Sequence, residues 1–356
     1  MKNKMMGYLI IVLTLIMISA CSSSSEEVAN ENGEYKFKMA NVSEKSNIVS
    51  EGLEKFSEIV EEKSDGKIEV EIIHDSQLGT GVETFEAVRD NNLDFAADSF
   101  ANLKSVTPAF EAFHLPFLFE SKEQAWNGFY DEEVQEMLND ELSENNLRFF
   151  SLLDMGGPRQ ISTTNYKVES LDDLTKKKLR ASRSPMEVEM QKSWGASGET
   201  VDWPDVPESL RLGMVDGITV SYPYILSAKL YEGDLINYIA DINSQWYAYV
   251  TVVNEDTWSE LPEDIQEILT ESIREAEDWH NDYVKEKVEQ DIADLREEGV
   301  EIYSIPDSAY EEIKQKTIDA TWDKFIGEPG VSQEKVDAIE DAKGSAGDRD
   351  WGYSLE

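Results

Sequence analysis

KIEVEII, residues 67–73, alternates charged and apolar side chains until it closes on an apolar pair. A period of two is the mark of a strand with one buried face. Upstream, YKFKMA (35–40) alternates in the same way. Between them, Asn47 to Lys63 carries Ile48, Leu53, Phe56, Ile59 and Val60 at helical spacing. Downstream, HDSQLGTG (74–81) reads as a turn, Val82 to Arg89 as a helix and LDFAA (93–97) as a third strand. Strand, helix, strand, helix, strand with compact connections predicts an α/β lobe built on a mainly parallel sheet.

A second run begins near Leu147. LRFFSLL reads as a buried strand, and Met155-Gly156-Gly157-Pro158 breaks the chain. Arg159 and Gln160 open a polar strand, ISTTN. KLRAS (178–182) is another strand, Pro185 to Trp194 a helix, ETVDW (199–203) extended, Pro204 to Leu212 helical and DGITV (216–220) extended. This predicts a second α/β unit over 157–245, after which AYVTVVN (248–254) returns to the first lobe. Pro262 to Arg296 reads as one long acidic helix able to brace both lobes. VEIYSI (300–305) and a helix near Ala309–Phe325 follow. The expected organisation is lobe I over 35–156 plus about 246–285, lobe II over 157–245 plus about 286–326, and a loosely packed tail over 327–356.

The first residues speak to the compartment. A basic start, MKNKMMG, precedes the apolar run YLIIVLTLIMISA. That run is shorter than the ~20 residues of a permanent membrane span but fits the apolar region of a secretory leader. It ends in Ile18-Ser19-Ala20-Cys21, which looks like a bacterial lipobox. The expectation is a signal peptide over 1–20, a lipid on the Cys21 thiol, and a flexible tether over 21–34 holding the protein on the outer face of the cell membrane. Cys21 is the single cysteine, so the mature protein has no disulfide, cysteine nucleophile or zinc–thiolate site.

Asp and Glu number 74 against 32 Lys and Arg, a formal charge of -42. Such acidity excludes nucleic acid as a partner, because phosphate binding needs a basic face. Positive charge is nevertheless concentrated at Lys176, Lys177, Lys178, Arg180 and Arg183. A short strand here would set Arg180 on the face opposite Leu179, while the lysines read as a solvated run. Catalytic patterns are missing. His74, His114 and His280 lack the spacing of a zinc site. GASGE (195–199) has Glu199 where a nucleophile elbow needs its second glycine. No phosphate-binding glycine loop is present. The sequence predicts neither an enzyme, a metal site nor a cofactor; it offers arginines and aromatics at strand ends, a vocabulary of recognition.

Read in order, several fragments resemble the solute receptors of tripartite ATP-independent periplasmic (TRAP) transporters, dicarboxylate-receptor type. They are KSDGKIEVEIIHDSQLG (63–79), Leu93-Asp94-Phe95, Leu115-Pro116-Phe117, Arg159-Gln160, Ser170-Leu171-Asp172-Asp173-Leu174, Lys178-Leu179-Arg180, Gly213-Met214-Val215-Asp216-Gly217 and Lys229-Leu230-Tyr231-Glu232. The resemblance runs from about Tyr35 to Phe325. It implies a two-lobed, periplasmic-binding-protein-like α/β fold that closes on a small organic acid and hands it to the small and large membrane subunits of a permease. It further implies that Arg180 grips the ligand carboxylate, that Arg159 lies beside it, that Trp203 packs on the ligand body, and that Ser99, Asn102 and Asn41 face the cleft from the first lobe. The sequence departs from the family at Val220, where many relatives carry an asparagine that helps hold the ligand. Thr219, Ser221 and Tyr222 become candidate replacements. Two alternatives use the same fold: a receptor presenting ligand to a signalling partner, and a receptor for a zwitterionic compatible solute.

Overall fold

The computed structural model describes residues 33–345 and 350–355. The leader, Cys21 and nearly all of the tether lie outside the described residues. The chain runs β1 (Tyr35–Asn41), α1 (Ile48–Lys63), β2 (Ile68–Ile73), α2 (Gly81–Arg89), β3 (Phe95–Ser99), α3 (Lys122–Tyr130), α4 (Glu132–Ser143) and β4 (Leu147–Asp154). It then crosses over to β5 (Gln160–Thr163), β6 (Lys178–Ala181), α5 (Pro185–Ser193), β7 (Ser197–Thr200), α6 (Val206–Arg211), β8 (Gly217–Val220), α7 (Tyr222–Ser227) and β9 (Tyr238–Asp241). It returns through β10 (Ala248–Asn254), α8 (Glu255–Glu260) and α9 (Glu263–Glu297), and ends with β11 (Glu301–Ser304), α10 (Asp307–Phe325) and α11 (Gln333–Lys343).

The alternation in KIEVEII does what period two requires. β1 and β2 pair in parallel from Tyr35 opposite Ile68 to Ala40 opposite Ile73. Phe37, Met39, Ile68 and Val70 are buried, while Lys36, Glu69 and Glu71 stay at the surface. α1 starts where Asn47 accepts a hydrogen bond from the Val49 amide, and α2 starts at a reciprocal Thr80–Glu83 capping box. The first sheet has the order β2-β1-β3-β10-β4. β10 is the strand that returns from the second lobe, and it runs antiparallel to both β3 and β4. The second sheet has the order β11-β9-β5-β8-β6-β7. There β6 is parallel to β7 and β8, and β5 is antiparallel to β8 and β9. Each sheet therefore holds one reversed strand, β10 in the first and β5 in the second, among strands that otherwise run the same way.

α9 is 35 residues long and packs on α1 and β4 of one lobe and on α7 and β11 of the other. Ile265, Leu269, Ile273, Val284, Val288 and Ile292 form its buried stripe. The crossing from β4 to β5 turns at Gly156 and Gly157, both left-handed at φ +85° and +87°. A β-carbon at Gly156 would lie 2.4 Å from Pro223 Cγ, so the site needs glycine for space as well as for φ. Asp154 Oδ1 accepts from both glycine amides, and Lys122 pairs with its other oxygen at 3.0 Å.

The tail departs from the expectation of loose packing. α11 is capped by Ser332 and seats Val336 and Ile339 against α3 and α4. Lys335 is buried, donating to the Ala109 carbonyl and pairing with Glu141. Beyond it Trp351 is buried, and the Tyr353 hydroxyl bonds Gln160 and Asn243 beside the crossing strands. Two apolar residues three apart and a few aromatics suffice to dock a short segment. That signal is too brief to stand out from a polar, glycine-bearing sequence.

Candidate ligand-binding site

Between the sheets, Val42, Ser43, Asp98, Ser99, Asn102, Met155, Arg159, Arg180, Ser182, Trp203, Val220 and Tyr224 enclose a cavity of about 30 Å³. That volume takes about two waters, so the lobes stand closed. Their edges are joined across the cleft. Trp203 Nε1 donates to Glu44 at 3.1 Å, Asn47 Nδ2 to Ser227 Oγ at 2.8 Å and Ser43 Oγ to the Tyr224 hydroxyl at 3.4 Å. A larger recess of about 970 Å³ lies outside, among α3, α9 and the C-terminal segment. Its lining includes Ser345 and Asp350, and no arginine lines it among the described residues.

Arg180 comes from β6, where Leu179 packs into the lobe II core and the arginine turns to the cleft. It is 4% exposed. Among the described residues its guanidinium makes one hydrogen bond, Nε to the Val201 carbonyl at 2.9 Å, and no salt bridge. Its face lies 5.8 Å from the Trp203 ring. Burial pulls its pKa down to about 10, and neighbouring Arg159 pulls the same way while Glu187 opposes. It stays charged at neutral pH, a buried cation whose fork is aimed at the cavity.

Arg159 opens β5 and is committed elsewhere. Its Nη1 donates to Glu187 at 3.0 Å and to the Thr219 carbonyl at 2.6 Å, and its guanidinium lies 3.8 Å over the Tyr247 ring. Its Nε is buried and has no partner among the described residues. Glu187, in the first turn of α5, is fully buried and also accepts from Ser182 N, Ser182 Oγ and Thr219 Oγ1. Burial alone would raise its pKa. Arg159, Arg180 and these donors outweigh burial and hold the carboxyl below the usual range. Glu187 thus fixes Arg159 and balances one of the two buried cations.

The lobe I wall is acidic and polar. Asp98, near the end of β3, accepts from Ser99 N at 2.7 Å and Asn102 Nδ2 at 2.6 Å. It is in no salt bridge among the described residues, and burial raises its pKa to about 6 against those two hydrogen bonds. Ser99 Oγ is buried without a partner among the described residues.

Five of the expected residues, Arg180, Arg159, Trp203, Asn102 and Ser99, meet at the cavity. Three do not. Asn41 ends β1 inside a closed network: it donates to Ser50 Oγ, meets His74 Nδ1 and accepts from the Tyr249 hydroxyl. Thr219 and Ser221 flank Val220, and strand alternation turns them away from the cavity it lines. Thr219 bonds Glu187, and Ser221 bonds the Met155 carbonyl. Asp98, Glu187 and Tyr224 went unread in the sequence. Among 74 acidic residues nothing distinguishes two buried ones, although an acid ending the apolar strand FAAD is a faint signal.

The chain matches the model of the "bacterial extracellular solute-binding protein, family 7" over residues 39–328. It is 28% identical to a solute-binding protein of Chromohalobacter salexigens, over 82% of this chain and 84% of that protein. It is 25% identical to the C4-dicarboxylate-binding protein DctB of Bacillus subtilis, over 72% of this chain and 73% of that one. Among solved structures, a TRAP periplasmic solute-binding protein of Sulfurospirillum deleyianum with bound succinate aligns with a TM-score of 0.80 at 22% identity, covering 87% of this chain and 99% of that chain. With a two-sheet fold, a closed interlobe cavity and a model match over most of its length, the chain belongs to the extracellular solute-binding proteins of family 7, the DctP family of TRAP-transporter receptors.

Proposed function

We propose that this protein is an extracytoplasmic receptor that captures a small organic acid between its lobes, with Arg180 as the carboxylate anchor, and delivers it to the membrane subunits of a TRAP permease. One observation carries the reading: Arg180 is a buried cation on the cavity wall with no carboxylate partner among the described residues. A buried charge without a counter-charge is costly, and a ligand carboxylate supplies the missing partner. The planar fork matches two carboxylate oxygens, which an ammonium cannot do. The names of relatives support the class, since DctB is described as binding C4-dicarboxylates and the S. deleyianum structure holds succinate. Lipidation of Cys21 would keep the receptor beside its permease.

A thermal-shift screen of organic acids identifies the ligand class; one present at a hundred times its Kd raises stability by about 2.7 kcal/mol. Titration calorimetry with the best acid then tests the anchor. Arg180→Ala is expected to weaken binding by roughly 2–5 kcal/mol, the range for removing one member of a buried charge pair. Arg180→Lys should also bind much more weakly because it loses the fork. Full affinity in Arg180→Ala rejects the anchor.

A further inference from the structure

The cavity divides its charge between its walls. Lobe II supplies Arg159 and Arg180, and lobe I supplies Asp98. Arg159 is already balanced by Glu187 at 3.0 Å. That leaves Arg180 and Asp98, both 4% exposed, as cavity charges outside any salt bridge among the described residues. A ligand carboxylate on Arg180 takes up the positive charge that Asp98 otherwise senses. Asp98 is then a buried anion whose two neighbours, the Ser99 amide and Asn102, are neutral donors. A second carboxylate at the far end of the ligand would place like charges together, and an uncharged end would leave Asp98 without a counter-charge. A cationic nitrogen pairs it. Ser99 Oγ, buried beside it and without a partner among the described residues, offers the same nitrogen a second acceptor. The Trp203 and Tyr224 rings, edge to face at 5.4 Å, line the space where the body of such a ligand would lie.

We propose that Asp98 is a cation-recognition subsite, and that the ligand is a zwitterion whose carboxylate sits on Arg180 and whose cationic nitrogen sits on Asp98. This rests on the carboxylate reading above and narrows it, setting this receptor apart from relatives named for dicarboxylates. The charged groups that face Asp98 are Arg180, which favours its ionised form, and Asp202, which opposes it; burial is the larger influence and raises its pKa to about 6. Tyr224 and Tyr249, packed against it, stay neutral, because burial raises their pKa well above the usual value. Pairing with a cation therefore ionises Asp98. At pH 6 a zwitterion should release a proton on binding, whereas a dicarboxylate should take one up.

The test uses matched sets of short acids ending in a cationic nitrogen, a hydroxyl or a second carboxylate, 4-aminobutyrate, 4-hydroxybutyrate and succinate among them. Each is titrated calorimetrically into the parent, Asp98→Asn and Arg180→Ala. The zwitterions should bind tightest to the parent, and Asp98→Asn should weaken them about tenfold or more while changing the hydroxy acids much less. Arg180→Ala should weaken every set, which separates failure of the anchor from failure of this subsite. Should Asp98→Asn fold poorly, the sign of proton exchange in the parent, measured at pH 6 in buffers of different ionisation enthalpy, decides alone. Tightest binding by succinate or the hydroxy acids, proton uptake with the zwitterions, or unchanged zwitterion affinity in Asp98→Asn overturns the proposal. If no set binds the parent, the carboxylate reading falls and this subsite with it.

Discussion

The two walls of the cleft are held in place by different means. On the lobe II wall, Glu187 gathers Arg159, Ser182 and Thr219 into one buried network, and Arg180 stands beside it with a single backbone acceptor. On the lobe I wall, Asp98 rests on its neighbour's amide and on Asn102. One wall is braced by an internal ion pair and the other by neutral hydrogen bonds. A braced wall keeps its charge in place through pH changes, whereas an acid held by neutral donors under heavy burial titrates near neutrality. Closure brings the two together, so each wall's charge is exposed to whatever the ligand carries.

The largest expected effect lies in the braced wall. Glu187→Ala removes the counter-charge of Arg159 and leaves the Ser182 and Thr219 donors unmatched. Urea unfolding should show a loss of about 3–5 kcal/mol, the range for breaking a buried pair from one side. A change below about 1 kcal/mol would mean that the network positions side chains without stabilising the fold.

A smaller effect separates the cleft from the crossing between β4 and β5. Asp98 holds its proton more tightly folded, at a pKa of about 6, than unfolded, where 3.8 applies. Its contribution to stability is therefore largest at low pH and declines as pH rises from about 4 to 6. His280 behaves oppositely. Buried, with its Nε2 2.9 Å from the Asp154 carbonyl oxygen, it has a pKa lowered to about 4 from 6.5, first by burial. The unfolded chain takes that proton first, so stability falls as pH drops from about 6.5 to 4. Relative to the parent, Asp98→Asn should gain stability as pH rises through its window, and His280→Gln should gain as pH falls through its own. Each full pKa unit of difference is worth about 1.4 kcal/mol at most. Denaturation midpoints between pH 4 and 7 read both slopes, and parallel curves for parent and variants would contradict the assignment.

The smallest effects belong to the basic run before Arg180. Lys176 is exposed, and Lys177 lies 3.9 Å over the Tyr166 ring. Lys176→Ala should leave both affinity and stability within about 0.5 kcal/mol. Lys177→Ala should leave affinity alone and cost about 0.5–1 kcal/mol of stability, the value of an exposed cation–aromatic contact. Titration of both variants beside Arg180→Ala places the anchor in the run.

Much of this was legible in the chain before it was folded. Strands with one buried face announce themselves by alternation, as in KIEVEII, and the long helix by its apolar spacing from Ile265 onward. Arg180 and Arg159 were legible because they sit inside fragments that resemble the family's, and Trp203 because it matches an aromatic that the resemblance implies. What escaped notice depends on three-dimensional context. Asn41 was expected at the cleft, yet at the end of a strand an amide serves a buried network with His74 and Tyr249 equally well. Thr219 and Ser221 were expected to replace an absent asparagine, but alternation about Val220 turns them the other way. Asp98 and Glu187 are hidden by the acidity of the whole chain, because only burial distinguishes them. The docked tail shows the same limit, since Tyr353 gains its role from meeting Gln160 and Asn243, residues remote in sequence.

The most direct test of the central claim is a crystal structure of the receptor with its tightest acid from the screen. The ligand carboxylate should lie within about 2.7–3.2 Å of the terminal guanidinium nitrogens of Arg180, inside a closed cleft and packed on Trp203. A carboxylate seated instead on Arg183 or the neighbouring lysines, with Arg180 still held only by the Val201 carbonyl, would contradict it.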